Sequence, residues 1–463
     1  MGYLTAAALT QVACGLAGKE KCEVGLLVIA GATTAIGQPA TTSQTTTPLL
    51  TTLFNAASEN ENNAIISDIA SLLQHSNSTT APSSVESALS ALQRQLSNGA
   101  PSIEDAAHGI TKAGLIPPDI LNLLNGYTDS EINSLQNKNP PPNKKIYPTK
   151  APGDAPYSLS EETLRSAIHI PQSFEYGQNN KTPIILVPGT AIPAGTTFTF
   201  NFGKLGTSHA VDPVWLNLPS ASLSDAQVNA EYVAYAINYI SAQSSNQPIP
   251  ILTWSQGGLN TQWALKFWPS TRSKVSDFIA ISPDFHGTVI RTLVCPALSL
   301  LVCTPSLWQQ GYDTSFIRTL RANDGDSAYV PTTIIYSTFD EIVQPQSGPF
   351  ASALLSDVRG VGVTAAHLQT VCAGRVGGGF YTHEGVLYNP LAWALALDAI
   401  AHDGPADLDR IDRERVCGQM VAPELDLSDL LGTEALLVVA VMELALYKPH
   451  TIAEPPIMDY AST

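Results

Sequence analysis

Residues 252–259 read L-T-W-S-Q-G-G-L. An apolar run, I-P-I-L (249–252), leads into Ser255, and a helical pattern, L-N-T-Q-W-A-L-K-F-W (259–268), follows it and stops at Pro269. A serine at a sharp strand-to-helix turn exposes its Oγ as a nucleophile, and small neighbours relieve the crowding of that turn. Gly257 and Gly258 supply such room, but Thr253 stands where the G-x-S-x-G pattern has its first glycine. The competing reading makes Ser255 an ordinary N-cap of the next helix, a position serine also favours. Strand before, helix after and two glycines favour the nucleophile.

The same alternation extends outward. T-P-I-I-L-V-P-G-T (182–190), P-I-L-T-W (250–254), D-F-I-A-I-S-P (277–283) and T-T-I-I-Y-S-T-F-D (332–340) read as short buried strands. D-A-Q-V-N-A-E-Y-V-A-Y-A-I-N-Y-I (225–240) reads as an amphipathic helix. Strands rich in β-branched residues, separated by helices, predict an α/β fold with a mostly parallel sheet covered on both faces. Reactive groups of such sheets gather at the carboxyl ends of the strands, where Thr190, Ser255, Asp284 and Asp340 fall. Asp340 is the candidate acid, with Glu341 beside it as a rival. Two histidines satisfy the chain order Ser, Asp, His of the α/β-hydrolases: His367 in V-T-A-A-H-L-Q-T-V-C and His383 in G-G-G-F-Y-T-H-E-G-V-L. His367 lies in an apolar alternation and His383 after a glycine-rich loop. His402, in the charged segment A-H-D-G-P, reads as solvent-facing.

The chain has 463 residues and a net charge of −17, which argues against nucleic acid as a partner, since that needs clustered Lys and Arg. Residues 1–47 read as a leader or linker, with small residues near Ala17 but without the basic start of a secretory signal. Residues 48–138 carry helical periodicity at 47–57, 64–73, 84–96 and 117–127, with helix starts at Ser84 and Ser102. They read as an all-helical unit, either a packing domain or a pro-region. N-K-N-P-P-P-N-K-K-I-Y-P (137–148) marks a Pro-rich linker over 139–149, in which Lys144–Lys145 is either a dibasic processing site or two solvated lysines. Residues 150–463 read as the catalytic domain. The apolar stretch 430–447 contains Glu434 and Glu443, costly in lipid, and reads as a buried or groove-lining helix rather than a transmembrane span. Six widely spaced cysteines and sequons at Asn77 and Asn180 point to an oxidising, secretory setting.

T-W-S-Q-G-G, preceded by L-V-P-G-T and followed by R-S-K-V, S-P-D-F-H-G-T, P-S-L-W-Q-Q and D-E-I-V-Q-P-Q, resembles Candida antarctica lipase B and its fungal relatives. The resemblance covers roughly residues 180–460 and runs to E-P-P-I-M-D-Y. It implies an α/β-hydrolase fold and ester hydrolysis, and it makes a non-glycine at Thr253 a family trait. Carried over by motif, Ser255 is the nucleophile, Asp340 the acid and His383 the base. Thr190 and Gln256 supply the oxyanion hole. Trp254 floors the pocket that sorts alcohols, Ile342 and Val343 line the cleft, and the helix around Val438 to Ala445 faces them. Asp284 matches an acidic residue beside the site and is grouped with the substrate-facing set, as a structural or ionisable group rather than a direct participant. Cys372–Cys417 matches a family disulfide. Cys295 and Cys303 bracket P-A-L-S-L-L-V and are expected to pair, pinning a lid-like segment; a Cys14–Cys22 bridge requires that no signal be removed there.

The resulting expectation is a secreted, monomeric lipase or carboxylesterase that acts on acylglycerols or similar lipid esters at a lipid–water interface, without metal or cofactor. The alternatives are a short-chain esterase or polyester hydrolase, or a hydrolase-fold binding protein.

Overall fold

The computed structural model describes residues 81–97, 103–116, 131–289 and 303–462. These fall in one compact unit that begins at Thr47. The leader, the helical patterns at 47–57, 64–73 and 117–127, the Asn77 sequon, Cys14, Cys22, Cys295 and the lid-like segment lie outside the described residues.

The main helices and the strands, in chain order, are α1 (Val85–Leu96), α2 (Ile103–Lys112), β1 (Ile168–His169), β2 (Thr182–Val187), β3 (Val211–Leu216), α3 (Ala226–Gln243), β4 (Ile249–Trp254), α4 (Gln256–Phe267), β5 (Val275–Ile281), β6 (Thr332–Tyr336), β7 (Val363–His367), α5 (Pro390–Ala401), α6 (Leu427–Glu434) and α7 (Leu436–Leu446). The strands form one sheet in the order β1-β3-β2-β4-β5-β6-β7. Every pairing is parallel except β1 with β3. This is the mostly parallel, helix-flanked sheet that the alternation predicts.

Side chains alternate across a strand with a period of two, and the core divides accordingly. Ile185 and Val187 of β2, Ile249 and Ile251 of β4, and Phe278 and Ala280 of β5 pack with α3 and α4. Ile184 and Leu186, Leu252 and Trp254, and Ile279 and Ile281 pack on the other face, with α5, α6 and α7. Each fully buried aliphatic side chain contributes about 1.5–3 kcal/mol, so the central strands are fixed from both sides.

β3 went unread because Pro213 interrupts V-D-P-V-W-L, and a proline argues against a central strand. It is accommodated because the neighbour β1 pairs only with Trp215 and Leu216, which leaves β3 an edge at Pro213.

The described helices of the N-terminal region rest on the second face. Ser84 caps α1 in a reciprocal capping box with Ser87. Ala88, Ala91 and Leu92 of α1 join the core that contains α6, and Ile110 of α2 joins it near α7. The Pro-rich stretch lies along the sheet-bearing part of the chain: Asn139 Nδ2 donates to the carbonyls of Arg165 and Ile168, and Tyr239 Oη donates to that of Pro140. Lys144 and Lys145 are exposed. Cys372 and Cys417 are bonded across 45 residues of sequence, a loop whose closure entropy is worth about 4 kcal/mol. Cys303 is buried and disulfide-bonded. Among the described residues no helix is long and apolar enough to cross a membrane.

Candidate active site

β4 ends at Trp254 and α4 begins at Gln256, so Ser255 alone makes the turn. Its backbone takes φ 56° and ψ −130°, a left-handed φ that non-glycine residues adopt only when the surroundings enforce it. Ser255 occupies the N-cap position of α4 but makes no side-chain cap hydrogen bond, so its Oγ is not used as a cap. The glycines around it are there for close approach. A Cβ on Gly257 would stand 2.6 Å from the carbonyl oxygen of Val187 and 2.8 Å from that of Pro188. One on Gly258 would meet the Pro283 Cβ at 2.9 Å. Thr253, in the position of the absent glycine, is buried in the strand and pairs in register with Val187 and with the small Ala280.

His383 Nδ1 lies 2.7 Å from Asp340 Oδ2. The other oxygen, Asp340 Oδ1, accepts the backbone N–H groups of Ile342 at 2.9 Å and Val343 at 2.6 Å, which fixes the carboxylate's orientation. With Nδ1 held, Nε2 is the nitrogen left to exchange a proton. Trp254 Nε1 donates to the carbonyl of His383 at 3.2 Å, and the two rings sit 4.9 Å apart. Glu341, the rival acid, takes a different bond: its Oε2 accepts the backbone N–H of His383 at 2.9 Å. His367 ends β7 and is engaged elsewhere, with Thr338 Oγ1 at 2.6 Å and Thr370 Oγ1 at 2.7 Å. His402 is exposed and bonds the carbonyl of Asp398.

Burial pulls the His383 imidazole down, but the Asp340 carboxylate, by charge and hydrogen bond, and the charges of Glu341 and Asp284 leave it above its ordinary value. Asp284 is wholly buried, with both carboxyl oxygens unpartnered. Burial, opposed by His383 and reinforced by Asp340, pushes it up to about 7. It is not among the residues that line the cleft.

Ser255 and His383 share one cleft with Thr190, Trp254, Gln310, Ile342, Val343 and Glu384. Leu437, Ala440 and Leu444 of α7 form its apolar wall together with Leu307 and Ile192. Ala440 and Leu444 lie in the stretch expected opposite Ile342; Leu437 lies one residue before it. Among the described residues, the backbone N–H groups of Thr190 and Gln256 are committed to no acceptor. Both are thus available to an oxyanion, whose donors must be preorganised and unpaired in the resting site. The Thr190 hydroxyl is 2.7 Å from Gln256 Oε1 and 3.0 Å from Gln310 Oε1. Gln310, whose Nε2 also reaches Gln256 Oε1 at 3.3 Å, was missed as a site residue. Its signal was the second glutamine of P-S-L-W-Q-Q. Glu384, which lines the cleft, was missed too, and nothing in its local sequence marks it. No cluster of His, Cys, Asp and Glu suited to a metal occurs among the described residues.

No protein-family profile matches the chain. It is 36% identical to lipase B of Pseudozyma antarctica over 285 residues, which span 60% of this chain and 79% of that protein. The crystal structure of Aspergillus fumigatus lipase B aligns with a TM-score of 0.83 at 59% identity, covering 89% of this chain and 99% of that one. That coverage exceeds what residues 139–463 could supply, so the likeness reaches into the N-terminal region.

Proposed function

The chain belongs to the lipase B family of α/β-hydrolases and is a lipid ester hydrolase; from that premise we propose that it is a secreted lipase or carboxylesterase that cleaves acylglycerols and similar esters through an acyl-enzyme on Ser255. The observation that carries the mechanism is the 2.7 Å contact of His383 with Asp340 in the cleft that also holds Ser255.

In this reading His383 Nε2 takes the proton of Ser255 Oγ as that oxygen attacks the ester carbonyl. Asp340 keeps the proton of Nδ1 in place and stabilises the imidazolium that forms. The oxyanion of the tetrahedral intermediate is met by the backbone N–H groups of Thr190 and Gln256, and by the Thr190 hydroxyl when it turns from Gln256. Loss of one such donor costs about 10²–10³ in rate. His383 then protonates the leaving alcohol, and water or a second alcohol releases the acyl group by the reverse sequence. The wall of Leu437, Ala440, Leu444 and Leu307 suits an acyl chain rather than a charged substrate. Export to an oxidising compartment is supported by the Cys372–Cys417 bridge and by the exposed sequon at Asn180.

A fluorophosphonate probe tests the nucleophile. The wild type is expected to be labelled and Ser255→Ala not, with loss of p-nitrophenyl ester cleavage. Equal labelling of the two would overturn the assignment. Detection of the native protein only inside the cell would overturn secretion.

A further inference from the structure

The loop that carries His383 is held by buried carboxyls that the proposed mechanism does not use. Glu341, in the loop after β6, accepts the N–H of His383 itself. One residue earlier, Thr382 Oγ1 donates to Glu434 Oε1 at 2.8 Å and accepts the N–H of Gly385 at 2.8 Å. Tyr388 Oη donates to the same Glu434 oxygen at 2.6 Å. Gly385 is boxed in by this arrangement: a Cβ there would lie 2.8 Å from Thr382 Oγ1 and 3.4 Å from Glu434 Oε1. Glu434 is wholly buried at the end of α6, three residues before Leu437 of the cleft wall.

We propose that Glu434 is a positioning residue for ester cleavage, tying the base loop at Thr382 and Tyr388 to the helices that form the cleft wall. The inference rests on His383 being the base. Two short bonds to one oxygen fix Thr382, the residue immediately before His383, and the turn that follows it at Tyr388. The base and the acyl-facing wall therefore move as one body, and a displacement of α6 is carried to the imidazole.

The carboxyl does this as a neutral acid. Its Oε2 has no partner, which a carboxylate in a dry interior tolerates far less well than an un-ionised group. Burial pushes its pKa up to about 8, against the bond from Tyr388, with the charge of Glu341 raising it further and the bond from Thr382 lowering it. The titratable groups that interact with it are Glu341 from the β6 loop and Glu384 and Tyr388 from the base loop, while Lys204 pairs with Asp429 on α6 itself. Glu384 is also held well above its ordinary value, by burial first and then by Glu341 and Glu434. Ionising Glu434 therefore adds a charge to an acidic cluster whose member Glu341 accepts the N–H of His383.

The experiment compares wild type, Glu434→Ala, Glu434→Gln and Ser255→Ala in kcat and KM for a p-nitrophenyl ester from pH 5 to 9.5, with Tm for each. Glu434→Ala is expected to lower kcat by about tenfold or more, as small misplacements of catalytic groups do, with KM little changed. Glu434→Gln, which keeps the acceptor and cannot ionise, is expected to restore most of that loss and to hold its kcat above pH 8, where the wild type is expected to decline as Glu434 ionises. A folded Glu434→Ala with wild-type kcat and pH profile overturns the proposal, as does a glutamine variant no better than alanine. If the alanine variant does not fold, the glutamine profile decides: an alkaline profile the same as that of the wild type sinks the idea. Turnover by Ser255→Ala would instead refute the mechanism on which it rests, whereas a dead Ser255→Ala beside unaffected Glu434 variants would refute this inference alone.

Discussion

A Cβ on Gly189 would stand 2.8 Å from the Cβ of Ser255 and 3.0 Å from Trp254 Cε3. The L-V-P-G-T loop can lay Thr190 beside the nucleophile only because that atom is missing. Gly189→Ala is expected to push the Thr190 N–H away from the oxyanion position and to lower kcat by about 10²-fold, with KM changed much less; unaltered kinetics would disprove it. The two histidines separate at the same scale. His383→Ala is expected to lower turnover by at least about 10³-fold, while His367→Ala, which loses only bonds to Thr338 and Thr370, should stay within severalfold. The base works when neutral, and its pKa lies above the ordinary value. kcat/KM should therefore rise with pH and reach half its maximum above about 6.5, the unperturbed histidine value. A rate already at its plateau at pH 5 would contradict this.

α7 is apolar except for Glu443, and its apolar sides have separate uses. Leu437, Ala440 and Leu444, spaced by three and four residues, fall on one stripe of the helix and face the cleft. Other residues of α7 enter the core shared with α2. A helix hydrophobic on nearly all sides is a buried one, which accounts for the membrane-like composition of α7. Ala440 is the small residue of the wall. Ala440→Phe is expected to fill acyl space, so that turnover of p-nitrophenyl palmitate falls several times more than that of the acetate. An equal effect on both esters would show that this wall does not hold the acyl chain.

Across the whole molecule, buried carboxyls set the pH dependence of stability. Burial, its largest cause in each case, raises Asp277 to about 9, Asp284 to about 7 and Glu434 to about 8, and lifts Glu231, Glu341 and Glu384 as well. These groups are protonated in the fold where the unfolded chain is ionised. Folding then takes up protons, and stability falls as pH rises from the unfolded values near 4 through the raised ones. His383, also raised, acts in the same direction: its contribution is complete below about 6.5 and lost above its folded pKa. Asp398 and Asp426, held below their ordinary values, lose their contribution only in strong acid. Tm is therefore expected to be higher at pH 5.5 than at pH 9, measurable by differential scanning fluorimetry; the reverse order would refute this account. A chain begun at residue 131 would uncover the apolar surface that α1 and α2 bury, and it is expected to show a lower Tm or to associate.

The sequence by itself determined the class of fold, because that is written in local signals, and it narrowed the proposed reacting groups to Ser255, to Asp340 or Glu341, and to His367 or His383, with the family resemblance choosing within each pair. Buried strands declare themselves as β-branched runs, a nucleophile elbow as a serine between a strand and close-packing glycines, and a triad as an order along the chain. The sequence left β3 unread, since an edge position that tolerates Pro213 is a property of the neighbouring strand. It could not separate the roles of Asp340 and Glu341, because adjacent residues diverge only when the backbone turns. What tertiary structure alone decided is the company of the base. Gln310 meets Thr190 across 120 residues of chain, and Glu434 meets Thr382 across 52. Hydrogen bonds between distant segments leave no periodicity, so a glutamate in an apolar stretch looks like an interruption until the fold brings it to Thr382 and Tyr388.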